Sequence, residues 1–431
     1  MSSVTSLAQN RLPPFVRMGI ALALSLACAW AMWASLRIGL ARKRSESGDF
    51  AAVNQALQLA PNDPEARTVR GLLLSYYGEY SDAAVELERA AELRPRDYYL
   101  WLELGMIRDQ LGDQEGAERA LRESVRLAPD YAKPAWQFGN LLFRLGRRDE
   151  AFAELRRAAK SDPTLLPATI DLAWSALGEV DALRSAIQPQ SPSEHVALAR
   201  FLARHGQSKE AVADLRTAGA TSREDIGALV ADLLAQNAFR DAHEIWEYGY
   251  QIPKSPHENS LTYDGGFEKP LEVNEPGFGW QVRENPAGMS LSVDPANPYQ
   301  GGKSLRIDFH GDPPPTVPAI SQIVLVNPNT HYRLQLAART GDVISGGLPI
   351  VVVSDAAMPG TTLIASEPLA SGTSAWHESV LDFTTGAQTN AVLLSVRRKA
   401  CATGQCPIFG SLWLDAFFLR AIPGREAPSE Q

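Results

Sequence analysis

The sequence predicts a multidomain chain of α plus β class: an N-terminal transmembrane helix, an α-solenoid of helical repeats, and a C-terminal antiparallel β-sandwich. Three observations predict it. Residues 18–36 carry no charge, several residue types then recur every 34 residues, and short β-branched runs begin after residue 261. We expect a tail at 1–17, the membrane helix at 18–36, the solenoid at 48–250, a linker at 251–260, the sandwich at 261–422 and a disordered tail at 423–431.

The uncharged N-terminal run is long enough to cross a bilayer. Its 19 residues span about 28 Å as a helix, close to the thickness of the hydrocarbon core. Trp30 and Trp33 lie near its far end, where interfacial indoles are favoured. A cleaved signal peptide has a shorter apolar core and a small-residue cleavage site. The residues before Cys28, Ser-Leu-Ala, make a poor lipobox. We expect a retained single-pass anchor.

Sequence features disagree about the orientation of this anchor in the membrane. Four basic residues lie after the run, Arg37, Arg42, Lys43 and Arg44, and the positive-inside rule alone would leave the solenoid in the cytoplasm. A short tail with two arginines is instead common in anchors that export their C-terminal domains. Cys401 and Cys406, five residues apart in a loop, suit a small disulfide of an oxidising compartment, with two unpaired thiols as the alternative. We expect a bacterial inner membrane protein with periplasmic C-terminal domains.

The 34-residue period is carried by five positional classes. It holds for Pro61, Pro95, Pro129 and Pro163; Gly71, Gly105 and Gly139; Gly78, Gly112 and Gly146; Ala83, Ala117 and Ala151; and Leu87, Leu121 and Leu155. The first glycine of each unit lets two helices cross closely, the second ends a helix, and the proline turns the chain into the next unit.

This pattern resembles the tetratricopeptide repeat, a helix–turn–helix unit that stacks into a solenoid. We predict three clear units, with degraded units on either side, as end units must cap an apolar face. The resemblance implies a concave groove for protein partners, lined by the first helix of each unit. The candidate groove residues for an extended peptide are Tyr76, Tyr99, Met106, Gln110, Trp136, Asn140, Phe143 and Arg144.

The C-terminal block contains nine or ten strand candidates with period-two alternation and no helical stretch, which predicts a β-sandwich. Its motifs run in the order YDGGFE, GW, GGKSLRIDF, PNTHYRLQLAART and GSLWLDAFFL. This order resembles the jelly-roll carbohydrate-binding modules of the galactose-binding-like fold. The resemblance implies a structural calcium ion held by the carboxylates of Glu268 and Asp415 and the carbonyl of Lys303, although Ala416 stands where many relatives carry a second aspartate.

Glycan recognition in such modules usually uses exposed aromatic rings. The rings considered are Trp280, Phe278, Tyr299, Tyr332 and Trp376. The resemblance places Trp280, Trp376 and Trp413 in the core between the sheets. Phe278 and Tyr299 lie in loops rich in proline and glycine, and they are our glycan candidates.

Composition and motifs argue against nucleic-acid binding and catalysis. The net charge is −9, without a basic stripe. The chain lacks G-x-S-x-G and H-E-x-x-H motifs, and GGKS at 301–304 lacks the earlier glycine of a phosphate loop. We expect a membrane-anchored, non-catalytic scaffold that binds proteins, and glycan through its sandwich, in cell-surface polysaccharide assembly or export. The alternatives are a pure protein–protein adaptor and, third, a glycan-processing enzyme.

Overall fold

The structure is a computed structural model that describes residues 14–45, 49–250, 260–284, 286–401 and 406–423. Most of the predicted tails and linker lie outside these residues, and the predicted domain bounds remain predictions. The predicted fold class is confirmed: an apolar N-terminal helix precedes a helical array, and two antiparallel sheets come after it. The described chain divides into two compact units, one ending at Gln188 and the other beginning at Pro189.

The first unit consists of helices in sequential pairs. They are α1 (Pro14–Ser45), α2 (Phe50–Leu59), α3 (Pro64–Tyr76), α4 (Tyr80–Leu93), α5 (Tyr98–Gln110), α6 (Gln114–Leu127), α7 (Ala132–Arg144), α8 (Arg148–Ser161), α9 (Leu166–Leu177) and α10 (Val180–Ile187). Side-chain caps start several of them. The Asp97 carboxylate, for example, accepts a hydrogen bond from the Tyr99 backbone N–H and satisfies one of the free donors of α5.

Close helix contact explains the periodic glycines. A Cβ atom added at Gly71, Gly105 or Gly139 would lie 2.8, 2.6 or 2.8 Å from the Cγ of the leucine 16 residues later in the paired helix. Non-bonded carbon atoms do not approach each other this closely, so only glycine permits this crossing. Gly112, at the end of α5, has φ +78°, a left-handed conformation that glycine adopts without steric cost.

The apolar N-terminal helix continues into the repeat array. Residues Phe15–Lys43 of α1 are long and apolar enough to span a membrane, whereas the sequence predicted 18–36. The additional C-terminal turns have a packing role, because Ala41 is fully buried against Ala56 and Ala66. Arg37 donates its Nε–H to the Leu59 carbonyl at 2.8 Å. The end of α1 therefore serves as the first helix of a pair whose second helix is α2.

The second unit begins with four helices and continues into the sandwich. The helices are α11 (Pro192–Arg204), α12 (Ser208–Ala218), α13 (Arg223–Ala235) and α14 (Phe239–Tyr250). The strands are β1 (Met289–Asp294), β2 (Ser304–Gly311), β3 (Ile320–Leu325), β4 (His331–Ser345), β5 (Pro349–Asp355), β6 (Thr362–Ala365), β7 (Gly372–Thr384), β8 (Ala391–Arg398) and β9 (Ile408–Ala421).

Two sheets enclose the core of the sandwich. The five-stranded sheet has the order β1-β2-β9-β4-β7, and the four-stranded sheet has the order β3-β8-β5-β6. Alternate residues of each strand are buried between them, for example Leu412 and Leu414 of β9 at 0% exposure. This is the period-two pattern on which the sequence prediction depended.

The last repeat helix is joined to the sandwich by a specific polar contact. Trp246 of α14 donates its indole N–H to Glu275 Oε1 at 2.6 Å, and Glu275 Oε2 accepts from the N–H groups of Gly277 and Gly279 at 2.9 and 3.0 Å. Burial raises the pKa of Glu275, and these three hydrogen bonds oppose the rise. A Cβ at Gly277 would lie 2.4 Å from Trp246 Cδ1, so the loop needs glycine there.

Candidate functional site

The first candidate surface lies on the first helices of the repeats. Two contacts bring α5 and α7 side by side: Lys133 Nζ is 3.3 Å from Glu103 Oε1, and Arg144 forms an ion pair with Asp109. Lys133 also lies over the Tyr99 ring, 5.8 Å from its centroid. The predicted groove residues of these two helices therefore share one face.

These groove residues differ in how far their side chains are exposed to a ligand. Tyr76 is 83% exposed and Tyr99 is 38% exposed. Met106, Trp136, Asn140 and Phe143 are half-buried, whereas Gln110 and Arg144 are exposed. The Asn140 amide donates to the Trp136 carbonyl of its own helix at 2.8 Å. Burial and then the neighbouring Glu103 carboxylate raise the pKa of Tyr99.

The second candidate surface is the outer face of the five-stranded sheet. Trp413 of β9 has a cross-strand neighbour on each side, Arg306 of β2 and Arg339 of β4. The Arg306 guanidinium lies 5.1 Å from the Trp413 ring centroid and the Arg339 guanidinium 4.2 Å from it. Arg339 also lies 5.4 Å from the centroid of Trp376 on β7. We call this row, together with Tyr299, the arginine–tryptophan ladder.

Tyr299 extends the ladder at the edge of the sheet. Its ring centroid is 5.8 Å from that of Trp376, and its hydroxyl donates to the Glu378 carboxylate, a bond that raises the pKa of Tyr299. The Trp376 indole N–H in turn donates to the Asn297 carbonyl at 3.0 Å. Tyr299, which the sequence predicted as a glycan contact, therefore lies on an aromatic surface. Arg306 and Arg339 of the same surface were not among the predicted site residues.

The structure corrects the expected positions of two tryptophans. Trp376 and Trp413 are half-buried on the outer face rather than in the core between the sheets. The reason is register: Leu412 and Leu414 point inward, so the pleat turns Trp413 outward. Trp280 does lie in the core, with its ring centroid 5.0 Å from that of Phe267.

Phe278 and Tyr332 are not available to a glycan. Phe278 is only 3% exposed, with its ring centroid 4.7 Å from His243 and 5.7 Å from Trp246 of the last repeat helix. Packing against α14 thus covers the loop that carries Phe278, and the prediction of Phe278 as a glycan contact is wrong. Tyr332 is 1% exposed, and its hydroxyl accepts from the Asn327 N–H at 2.7 Å.

A groove of about 770 Å³ lies where the edges of the two sheets approach each other, at β6 and β7. Ile364 and Leu369 contribute apolar surface to its lining, and Ser374, His377 and Ser379 contribute polar groups. No sequence motif indicated this groove, because its walls come from the edge strands of two different sheets.

The predicted calcium ligands lie close together at one end of the sandwich. Glu268 Oε1 accepts from the Gly302 N–H at 2.7 Å, and the Lys303 ammonium donates to the Glu268 carbonyl at 2.8 Å. Asp415 is fully buried, and its Oδ2 accepts from the N–H groups of Tyr299 and Gln300 at 2.8 and 3.0 Å. Burial raises the pKa of Asp415, and the Glu268 charge adds to the rise.

The Glu268 and Asp415 carboxylates are the two candidate calcium ligands at this end of the sandwich. Both carboxyl side chains lie beside Gly266, because a Cβ there would be 3.7 Å from Asp415 Oδ1 and 3.9 Å from Glu268 Cγ. Within the described residues no cluster of three or more His, Cys, Asp or Glu side chains could hold a metal. Backbone carbonyls would therefore have to complete the six to eight oxygen ligands of calcium. Calcium remains a proposal.

A disulfide joins Cys401 to Cys406, whose Cα atoms are 5.7 Å apart. The buried Arg398 guanidinium holds this region by donating to the Pro313 carbonyl at 2.9 Å and to the Cys406 carbonyl. Gly347 packs directly on the disulfide, because a Cβ there would lie 2.7 Å from Cys406 Sγ. The bond thus ties together loops at one end of the sandwich.

Comparison with known proteins identifies the repeats. The tetratricopeptide repeat model matches residues 98–131 and 132–165, which confirms that resemblance for the pairs α5–α6 and α7–α8. None of the curated proteins shows significant sequence similarity to the chain.

Several solved structures are similar to parts of the chain. One described as "CBM4 structure and function" is 12% identical, covers 37% of this chain and 99% of its own, and has a TM-score of 0.29. The crystal structure of MamA is 17% identical, with coverage of 49% and 96% and a TM-score of 0.28. Family 16 Carbohydrate Binding Module-2 is 18% identical, with coverage of 37% and 98% and a TM-score of 0.25.

The calcium site predicts a stability change on metal removal. At neutral pH, calcium at 100 times its dissociation constant should stabilise the fold by about 2.7 kcal/mol, since it binds only the folded chain. We expect a lower melting temperature of the wild-type chain in EDTA, and no such difference in Asp415→Asn. Asp382→Asn, which removes a surface carboxylate, should keep the wild-type response. Equal melting of the wild type in calcium and EDTA would exclude the ion.

Proposed function

We propose that the chain is a membrane-anchored, non-catalytic scaffold that binds proteins through its repeats and glycan through its sandwich. Its place would be cell-surface polysaccharide assembly or export in a bacterial envelope. The observation that carries the proposal is that two separate surfaces expose aromatic and polar side chains together. One is the shared face of α5 and α7, and the other is the arginine–tryptophan ladder.

The membrane anchor is supported by the apolar surface of α1. Leu22 and Trp30 are 64% and 69% exposed, which suits lipid contact rather than water. Two of the basic residues after the apolar run also have structural contacts: Arg37 with the Leu59 carbonyl, and Arg42 with Asp63 at 3.9 Å. These contacts tie the two arginines to the repeats, and the disulfide is the feature that supports the periplasmic orientation.

Protein binding at the repeats is supported by the chemistry of the α5–α7 face. Tyr99 and Trp136 offer apolar contact, and the Arg144 guanidinium can bond a peptide carbonyl or carboxylate. An extended peptide segment of a partner fits this combination, because aromatic rings and an exposed arginine lie on the same face of the two helices.

A peptide selection tests this surface. The full chain, in detergent, should enrich specific peptides from a random display library. Trp136→Ala should weaken the enriched peptides about thirtyfold, since a buried aromatic anchor contributes about 2 kcal/mol. Tyr131→Ala is the matched control, because that exposed aromatic residue precedes α7 and is not one of the groove candidates. Equal loss in both variants, or none in either, would contradict a peptide groove on this face.

Glycan binding at the sandwich is supported by the ladder. Trp376 and Tyr299 form an aromatic edge beside hydrogen-bonding side chains on an open sheet face, the combination that sugar recognition uses. The order of sequence motifs in the block resembles carbohydrate-binding modules, and this supports the same role.

A binding panel tests the glycan role. The wild-type chain should bind at least one of barley β-glucan, galactomannan, alginate and polygalacturonate in affinity electrophoresis. Trp376→Ala should weaken that binding about tenfold or more, because stacking contributes on the order of 1–2 kcal/mol. Phe409→Ala is the matched control, an exposed aromatic residue near the start of β9. Binding that survives Trp376→Ala but not Phe409→Ala would place the glycan elsewhere.

One observation favours the adaptor alternative, in which the sandwich binds no sugar. The two arginines flank the Trp413 ring within 4.2 and 5.1 Å, and such stacking stabilises a sheet face by itself. Binding of none of the four polysaccharides, with peptide binding retained, would support this alternative.

A further inference from the structure

Arg339 has an unusual setting at the centre of the ladder. Its guanidinium lies between Trp413 and Trp376, and its buried Nε–H has no hydrogen-bond partner. Its side chain also forms no ion pair with any carboxylate in the part of the chain that the structure describes. The buried Nε–H is out of reach of a ligand, but Arg339 is only half-buried, so the exposed part of its guanidinium can donate to an acceptor from outside the chain.

The acidic groups around Arg339 are already engaged by other donors. Asp294 accepts from the Trp413 indole at 2.7 Å, which lowers its pKa, with a smaller contribution from the Arg339 charge. Asp308 accepts from Arg306 Nε at 2.9 Å, and Glu378 accepts from the Tyr299 hydroxyl. Asp294, Asp308 and Glu378 therefore each have a donor other than Arg339. Among the described residues, the Arg339 guanidinium has no carboxylate partner.

The stacking also limits what kind of sugar the ladder can take. Guanidinium groups next to Trp413 leave little of its ring faces for a neutral pyranose. A guanidinium stacked on an indole still presents N–H groups along its edge, in a planar fork that matches a carboxylate. The surface is therefore better suited to a sugar that carries a carboxylate than to a neutral one.

We propose that the glycan of the ladder is an acidic polysaccharide, and that Arg339 binds the carboxylate of a uronic acid residue. This inference rests on the proposed glycan role of the sandwich and adds the class of sugar and the residue that selects it. Trp376 and Tyr299 then contact the apolar face of the same or the next sugar ring.

Binding of hexagalacturonate and of its methyl ester to the full chain tests this assignment. The ester has the same sugar chain, but each carboxylate is replaced by a neutral methyl ester, which removes the charge and leaves weaker acceptors for a guanidinium. The wild type should bind hexagalacturonate about tenfold more tightly than the ester, since one charge-assisted hydrogen bond contributes about 1.4 kcal/mol. Arg339→Gln should remove this difference, and Arg339→Lys should restore only part of it, because lysine lacks the planar fork.

Arg420→Gln is the matched control for charge. Arg420 is an exposed residue of β9, and its cross-strand neighbour on β4 is Arg333. It lies about 23 Å along the strand from Trp413. This variant loses the same charge but should keep the preference for hexagalacturonate. Melting temperatures within a few degrees of the wild type confirm that each variant is folded.

Four outcomes would overturn the assignment. Equal binding of acid and ester by the wild type would refute acid selection while leaving the glycan role intact. Equal loss in Arg339→Gln and Arg420→Gln, or equal binding of poly-L-glutamate, would reduce the preference to general charge attraction. Binding of neither hexagalacturonate, its ester nor any of the four polysaccharides of the panel would remove the glycan role itself.

Discussion

The pleat of strand β9 determines what the sandwich offers to a ligand. Leu412 and Leu414 are fully buried between the sheets, so Trp413 must face outward. Since β9 lies between β2 and β4, cross-strand pairing then places Arg306 and Arg339 on either side of the indole. A register shift of one residue would bury the arginines and expose the leucines. The loss of buried apolar surface makes such a shift strongly unfavourable. The ladder is thus a consequence of core packing, and any ligand chemistry there depends on it.

A comparable constraint governs the repeats. Close crossing at Gly105 against Leu121 keeps each helix pair compact, and stacking of the pairs then aligns α5 with α7 on one face. The apolar helix α1 enters this array directly, with Ala41 buried against Ala56 of α2 and Ala66 of α3. A bilayer around residues 18–36 would hold the first repeats close to the membrane surface, within reach of other membrane-bound proteins.

The periodic parts of the structure could be predicted from the sequence, and the parts that depend on register or on distant contacts could not. The glycines and prolines predicted the helix pairs, because their roles are local to each unit. The exposure of Trp376 and Trp413 depends on which strand face is buried, and the family resemblance placed them wrongly. Phe278 is covered by Trp246 of a helix about 30 residues away in sequence. Arg339 lies within the motif PNTHYRLQLAART, but its role could not be predicted, because its partners Trp376 and Trp413 come from two other strands.

The location of the sandwich relative to the membrane is the claim on which the envelope account depends. In a Cys28→Ala background, Cys401 and Cys406 would be exposed to a membrane-impermeant maleimide in intact spheroplasts, with and without prior reduction. The account predicts labelling only after reduction, since a disulfide outside the cytoplasm blocks both thiols until it is reduced. Labelling that requires lysis of the membrane would place the sandwich in the cytoplasm and contradict the account.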